Sequence, residues 1–128
     1  MKVILDTSVL LRNEQSLPSG IETAISAVSI AELHFGLLAA TDEDVRAERA
    51  ARLGAIESRY DPLPLDERVA RTMGRLQAAV TNRGGNPRRR FADLAIAATA
   101  VAHSAVLLTA NSKDLALVKD LVVCREPA

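Results

Sequence analysis

The chain has 128 residues, 48% of them hydrophobic, its aromatics are two Phe and one Tyr, and 16 basic residues balance 16 acidic ones. That length fits one domain, read here as residues 1–128, with an aliphatic, alanine-rich core. The charge balance excludes a global field that gathers polyanions, and the single cysteine, Cys124, excludes an intrachain disulfide and fits a reducing compartment.

In chain order, Lys2 to Leu5 reads as a short buried strand, and Thr7 to Leu11 opens a short helix. Residues 12–19 read as a loop, and Ile25 to Val28 as a weak second strand. Ser29 starts a helix to about Ala40, and a second helix follows from Asp42 to Arg59, with Asp42–Arg46 and Glu48–Arg52 at supportive i, i+4 spacing. "YDPLPL" is extended and broken by proline. Asp66 caps a helix to about Arg83, whose apolar stripe is Val69, Met73, Leu76 and Val80, and Gly84-Gly85 stop it. "NPRRR" is a loop, Phe91 to His103 a helix, Val106 to Thr109 a strand, Lys113 to Val118 a short helix and Leu121 to Cys124 a last strand. Short apolar strands alternating with helices predict an α/β domain with a mostly parallel central sheet and helices on both faces. The longest largely apolar run, Leu94 to Ala102, is too short to span a membrane, and Asp6 and Arg12 interrupt the N-terminal run, so neither a span nor a signal peptide is expected and the location is read as cytoplasmic.

Four carboxylates stand at strand-to-helix junctions or in first helical turns: Asp6, Glu32, Asp93 and Asp114. Each has a local explanation. Asp6 is a favoured helix cap. Ser29-x-x-Glu32 reads as a capping box. Asp93 and Asp114 sit where the helix dipole favours negative charge. Asp93 resists that explanation, because "FADLAIAATAVAH" is apolar nearly all round and so is a buried helix. A dipole effect of roughly 0.3–1 kcal/mol does not offset burying an unpaired carboxylate. No basic residue lies between Asp93 and Lys113 except His103, so its partner comes from afar or is a metal. In a parallel α/β fold these junctions converge outside the carboxyl ends of the strands. Hard oxygen ligands without His or Cys select Mg²⁺ or Mn²⁺, and His34, His103 and Cys124 lack the spacing of a zinc site. His34 reads as a surface or packing residue and Cys124 as a core residue.

The segments "ILDTSVLL", "SAVSIAELHFGL" and "FADLAIAATAVAHSAVLLTANSKDL" resemble PIN domains of the VapC toxin type over almost the whole chain. In that family an Asp after the first strand, a Glu in an S-x-x-E-L-x-x-G helix and an Asp in a D-x-x-I-A-A-x-A helix bind divalent metal, roles that fall on Asp6, Glu32 and Asp93 here. The family's last motif matches Thr109-Ala110-Asn111-Ser112-Lys113-Asp114-Leu115, which gives the fourth acidic role to Asp114 with Asn111 as a neutral helper. Leu115 replaces the usual closing aromatic, and "PRRRFA" stands where many relatives have a Gly-Asp pair. The resemblance implies a Mg²⁺-dependent endoribonuclease, with Mn²⁺ as a substitute ion, acting as the toxin of a toxin–antitoxin pair and forming a homodimer. It implies attack by water that leaves a 5′-phosphate and a 3′-hydroxyl. Thr7, Ser8 and Thr109 are placed to hydrogen-bond the ligating carboxylates.

An acidic pocket repels RNA, so phosphate contacts must come from cations elsewhere. Seven arginines and no acid lie between Arg68 and Ala92. Arg68, Arg71 and Arg75 fit a solvated helix face, while Arg88, Arg89 and Arg90 are read as RNA contacts. A haloacid-dehalogenase-like phosphatase needs a second Asp where Ser8 stands, and a receiver domain needs an acidic pair after strand one and a mid-chain phosphoacceptor. A non-catalytic PIN-like binding module remains the alternative, disfavoured by the intact acidic set.

Overall fold

The computed structural model describes residues 1–12 and 19–127, so most of the loop expected over 12–19 lies outside the described residues. The elements are β1 (Lys2–Leu5), α1 (Thr7–Leu10), β2 (Glu22–Ala24), α2 (Ala27–Ala39), α3 (Glu43–Arg59), α4 (Glu67–Asn82), α5 (Phe91–Ala102), β3 (Val106–Leu108) and β4 (Cys124–Arg125). Two 3₁₀ turns, Pro87–Arg90 and Ser112–Val118, precede α5 and follow β3. The strands form one sheet in the order β2-β1-β3-β4, and all three pairings are parallel.

Side chains on a strand alternate between faces, and β1 and β3 use that alternation to separate two cores. Val3, Leu5 and Leu108 join Ile25, Leu33, Leu53 and Ile56 on the side of α2 and α3. Ile4 and Leu107 point the other way, into a cluster with Val69, Met73, Leu76 and Val80 of α4 and the apolar residues of α5. Both faces of the sheet are therefore covered, as a parallel sheet requires. Helix α5 is the most deeply placed element, with every residue from Leu94 to Ala100 buried. Its one polar side chain in that stretch is satisfied locally, because the Thr99 hydroxyl donates to the Ala95 carbonyl at 2.9 Å. Asp66 caps α4 through Val69 N–H at 3.0 Å, and Gly84 takes the positive φ of 86° that ends it.

Four elements differ from the sequence expectation: the second strand, the start of α2, the last strand and the arginine turn. The second strand is Glu22–Ala24 rather than Ile25 to Val28, because Ser26 caps α2 by accepting from Val28 N–H at 3.0 Å. That cap lies three residues before Ser29, which becomes a buried residue of the first helical turn. Ile25 and Ser26 instead pair with the extended proline segment, Leu63 N–H donating to Ile25 O at 2.9 Å and Ala27 N–H to Leu63 O at 2.8 Å. The last strand is only Cys124–Arg125 rather than Leu121 to Cys124, and "PRRR" is a 3₁₀ turn capped by Asn86 rather than an irregular loop. Among the described residues no helix is long and apolar enough to cross a membrane.

Ile96 is fully buried between the sheet and α4. Ile96→Ala is expected to lower unfolding stability by about 2–5 kcal/mol, whereas Phe35→Ala, at a residue 74% exposed, should change it by less than about 0.5 kcal/mol. Urea titration of both variants checks this, and comparable losses would place the core elsewhere.

Candidate active site

The strand order sets β2 and β3 on opposite sides of β1, so the chain leaves β1 in one direction and returns on the other. In an open parallel sheet that reversal opens a crevice beyond the carboxyl ends of the two central strands. Asp6 follows β1 there and Thr109 follows β3. The ladder continues one residue further, with Asp6 N–H donating to Leu108 O at 2.9 Å.

Asp6 is only 7% exposed, and its carboxylate is held by hydrogen bonds rather than by a basic residue. Its Oδ2 receives the Ser8 hydroxyl at 2.5 Å, the Thr109 hydroxyl at 2.9 Å and the Ser8 N–H at 3.3 Å. The donors are themselves fixed: Ala110 N–H donates to Ser8 Oγ at 3.0 Å, and Asn111 N–H to Thr109 Oγ1 at 3.1 Å. Asp6 therefore does cap α1, but the same oxygen also ties the ends of β1 and β3 together. Its Oδ1 accepts no hydrogen bond among the described residues, which leaves lone pairs for a ligand in the crevice.

Glu32 belongs to the second turn of α2, because the helix starts at Ala27. The capping-box reading of Ser29 and Glu32 therefore does not hold. The Thr7 hydroxyl, at the first position of α1, donates to Glu32 Oε1 at 2.7 Å and lies 2.8 Å from the Ser29 hydroxyl. Thr7 thus joins α1 to α2 and aims the glutamate toward the edge that holds Asp6. Ser29, fully buried, supports Thr7 instead of capping the helix.

Asp93 occupies the first turn of α5, and Asp114 the first turn of the 3₁₀ segment after β3. Burial pushes the Asp93 carboxyl up from 3.8 to about 6, with the charges of Asp6, Asp114 and Glu32 adding in that order and Arg90 opposing them. All four carboxylates thus act on one neighbourhood. The expected partner of Asp93 is not distant: Arg90, three residues upstream, reaches Asp93 Oδ2 at 3.9 Å and Asp114 Oδ1 at 3.3 Å. His103 stands at the opposite end of α5 beside Arg68, 3.3 Å from its Nη2. Burial and the Arg68 and Lys2 charges lower its pKa.

The other cations divide by place. Arg71 pairs with Glu67 one turn away, in keeping with a solvated face for the α4 arginines. Arg88 and Arg89 are exposed, and Arg89 borders a cavity of about 220 Å³ with Arg90, Lys113, Asp114, Leu94 and Leu115. Asn111 reaches the site by its backbone N–H alone, with no side-chain cap bond. His34 is exposed beside Glu57 at 3.4 Å, and Cys124 is half-buried against the core.

The donor set fits a hard divalent cation, since it consists of carboxylate oxygens with hydroxyls behind them and neither histidine among them. As the side chains stand, no group of three or more His, Cys, Asp or Glu among the described residues is gathered around one point. Arg90 stands between Asp93 and Asp114, 3.9 Å from the one and 3.3 Å from the other. Asp6, Glu32, Asp93 and Asp114 are the residues that could hold such an ion.

A carboxyl raised from 3.8 to about 6 has a definite signature in stability. Near pH 3.8 and below, folded and unfolded chains both hold the proton; between there and 6 only the folded chain keeps it; above 6 the folded state carries the full electrostatic cost. Asp93→Asn should therefore raise the melting temperature in chelator at pH 7.5, and the gain should vanish toward pH 4. The side chain is 35% exposed, so after solvent screening the gain is about 1 kcal/mol, or roughly 4 °C. A scan in which the variant melts lower at pH 7.5 would show that burial and neighbouring charge do not raise Asp93.

A PIN domain profile matches residues 3–121. The ribonuclease VapC5 of Mycobacterium tuberculosis is 34% identical over 121 residues, 89% of this chain and 86% of the relative. The ribonuclease VapC4 of the same organism is 32% identical over 127 residues, covering 95% of both chains. Among solved structures, VapBC-5 of M. tuberculosis, a member of the VapBC family of toxin–antitoxin systems, superposes with a TM-score of 0.80 at 31% identity, covering 98% of this chain and 96% of its own. DNA-bound VapBC from Salmonella typhimurium, at 20% identity and a TM-score of 0.79, shares the fold. With its acidic edge at the carboxyl ends of β1 and β3, the chain belongs to the PIN domain family, among its VapC-type members.

Proposed function

We propose that the chain is a Mg²⁺-dependent endoribonuclease and the toxin of a toxin–antitoxin pair. The observation that carries this is the placement of four acids about the carboxyl ends of β1 and β3: Asp6 is tied to Thr109, Glu32 is bonded by Thr7 beside Asp6, and Arg90 spans Asp93 and Asp114. The names of the relatives, ribonucleases and toxin–antitoxin complexes, support the same class of chemistry.

Mg²⁺ held by these carboxylates, with Mn²⁺ as a substitute, supplies a Lewis acid that acidifies water and neutralises charge on a phosphate. The protein's part is positional. Asp6 offers Oδ1 because Ser8 and Thr109 occupy Oδ2. Thr7 restrains Glu32, and the buried frame of α5 fixes Asp93. Asp114 shares Arg90 with Asp93 and completes the charge or orients water. Water attack on phosphorus then breaks the bond to the 3′ oxygen, leaving a 5′-phosphate and a 3′-hydroxyl without use of the 2′-hydroxyl. Exposed Arg88 and Arg89 are the phosphate contacts. A cognate antitoxin covers the acidic edge, and the toxin is a homodimer. Phe35 and Leu38 of α2, each 74% exposed, offer apolar surface for such assembly.

Asp6→Asn and Asp93→Asn should fold and lose Mg²⁺-dependent RNA cleavage. Thr109→Val, which removes one support of Asp6, should lose about 10- to 100-fold. Asp114→Asn should be more damaging than Asn111→Ala, since only Asp114 carries charge. Cleavage of a labelled RNA with end-group analysis measures all five, and near wild-type rates in Asp6→Asn would refute the metal site.

For the arginines, the slope of log affinity against log salt is the informative quantity. Replacing Arg88 and Arg89 together by alanine should lower it by roughly 1.4, about 0.7 for each single-strand phosphate contact. An unchanged slope with weaker antitoxin binding would assign these side chains to the protein partner.

A further inference from the structure

The arginine nearest the site does something different from its two neighbours. We infer that Arg90 is an exchangeable counter-cation of the acidic site, holding Asp93 and Asp114 until a divalent ion takes them and expels it. This rests on the proposed metal site and adds a competitor built into the same chain.

Three observations carry it. Arg90 alone of the arginine triplet turns inward: Nη2 stands 3.3 Å from Asp114 Oδ1 and Nη1 3.9 Å from Asp93 Oδ2. One monovalent group thereby bridges two carboxylates from separate elements, α5 and the 3₁₀ turn after β3. Its contacts are also loose and wet. The Arg90 side chain is 46% exposed, and an ion pair of that kind contributes little to stability. A Mg²⁺ ion contacts oxygen at about 2.0–2.1 Å with twice the charge, so it outcompetes the guanidinium for the same oxygens. Finally, the displaced group has somewhere to go. Arg90 lines the same cavity as Arg89 and Lys113, beside Asp114, one of the two carboxylates it leaves. Nothing in its backbone role ties the side chain down, since Arg90 precedes α5 without a side-chain cap bond.

The consequence is a site that is partly neutralised before the ion arrives and that binds the ion more weakly than its carboxylates alone would. Removing Arg90 should therefore strengthen ion binding, although it removes a residue from the site. Mn²⁺ affinity of the full chain, measured by calorimetry and by the loss of the free-ion paramagnetic resonance signal, tests this without RNA. Arg90→Ala and Arg90→Gln should each bind Mn²⁺ about two- to fivefold more tightly than the native chain, as expected from losing an exposed ion pair. Arg89→Ala removes the same charge from the same cavity without touching a carboxylate, and should leave the affinity within error. Equal or weaker binding in both Arg90 variants would overturn the inference and make Arg90 a residue that positions the carboxylates. Equal tightening in Arg89→Ala would overturn it too, in favour of general electrostatics. If the native chain binds no Mn²⁺ at millimolar concentration, the metal site itself fails, which is a distinct result.

Discussion

One oxygen, Asp6 Oδ2, organises the carboxyl edge of the sheet. Ser8 donates to it from the chain that leaves β1, and Thr109 donates from the chain that leaves β3. These two strands meet at the reversal of strand order, where no crossover covers the sheet end. Without that tie a nearly buried carboxylate would face desolvation with no compensating donors, and the crevice would have no fixed wall. With it, one oxygen is structural and the other keeps its lone pairs open among the described residues. Cap and site are thus two uses of a single side chain.

The remaining acids depend on frames of contrasting kinds. Asp93 is held by a helix whose next seven residues are buried, so its position is set by packing of aliphatic side chains against the sheet and α4. Glu32 is exposed and is steered by the Thr7 hydroxyl. Asp114 sits in the first turn of the 3₁₀ segment after β3 and meets Arg90. Burying such groups and bringing them together both oppose folding, and both raise Asp93, burial more than any one neighbouring charge. The apolar burial on both faces of the sheet is what tolerates the crowding. An acidic edge of this sort is a local cost carried by a stable frame.

Much of this was legible from residue order. The stripe of α4, the buried run of α5 and the carboxylates after short apolar strands follow from periodicity and from the rule for open parallel sheets. The features that escaped were decided by tertiary contacts. Ser26 and Ser29 are equally good caps in isolation, and burial of Ser29 beneath Thr7 chose Ser26, which moved the second strand upstream and took Glu32 out of the first turn. The edge strand β4 is too short to show alternation, and only its ladder to Leu107 and Leu108 defines it. Arg90 carried a usable signal, the i, i+3 spacing to Asp93, but a run of three arginines reads as one basic patch. In the structure Arg90 pairs with Asp93 and Asp114, whereas Arg88 and Arg89 are exposed without an acid partner among the described residues.

Crystals of the full chain soaked in Mn²⁺, with diffraction recorded at the manganese edge, test most directly whether this edge is a divalent cation site. The expected result is an anomalous peak in contact with Asp6 Oδ1 and the Asp93 carboxylate. A saturating soak that leaves that edge without a peak, or that places the ion away from both side chains, would contradict it.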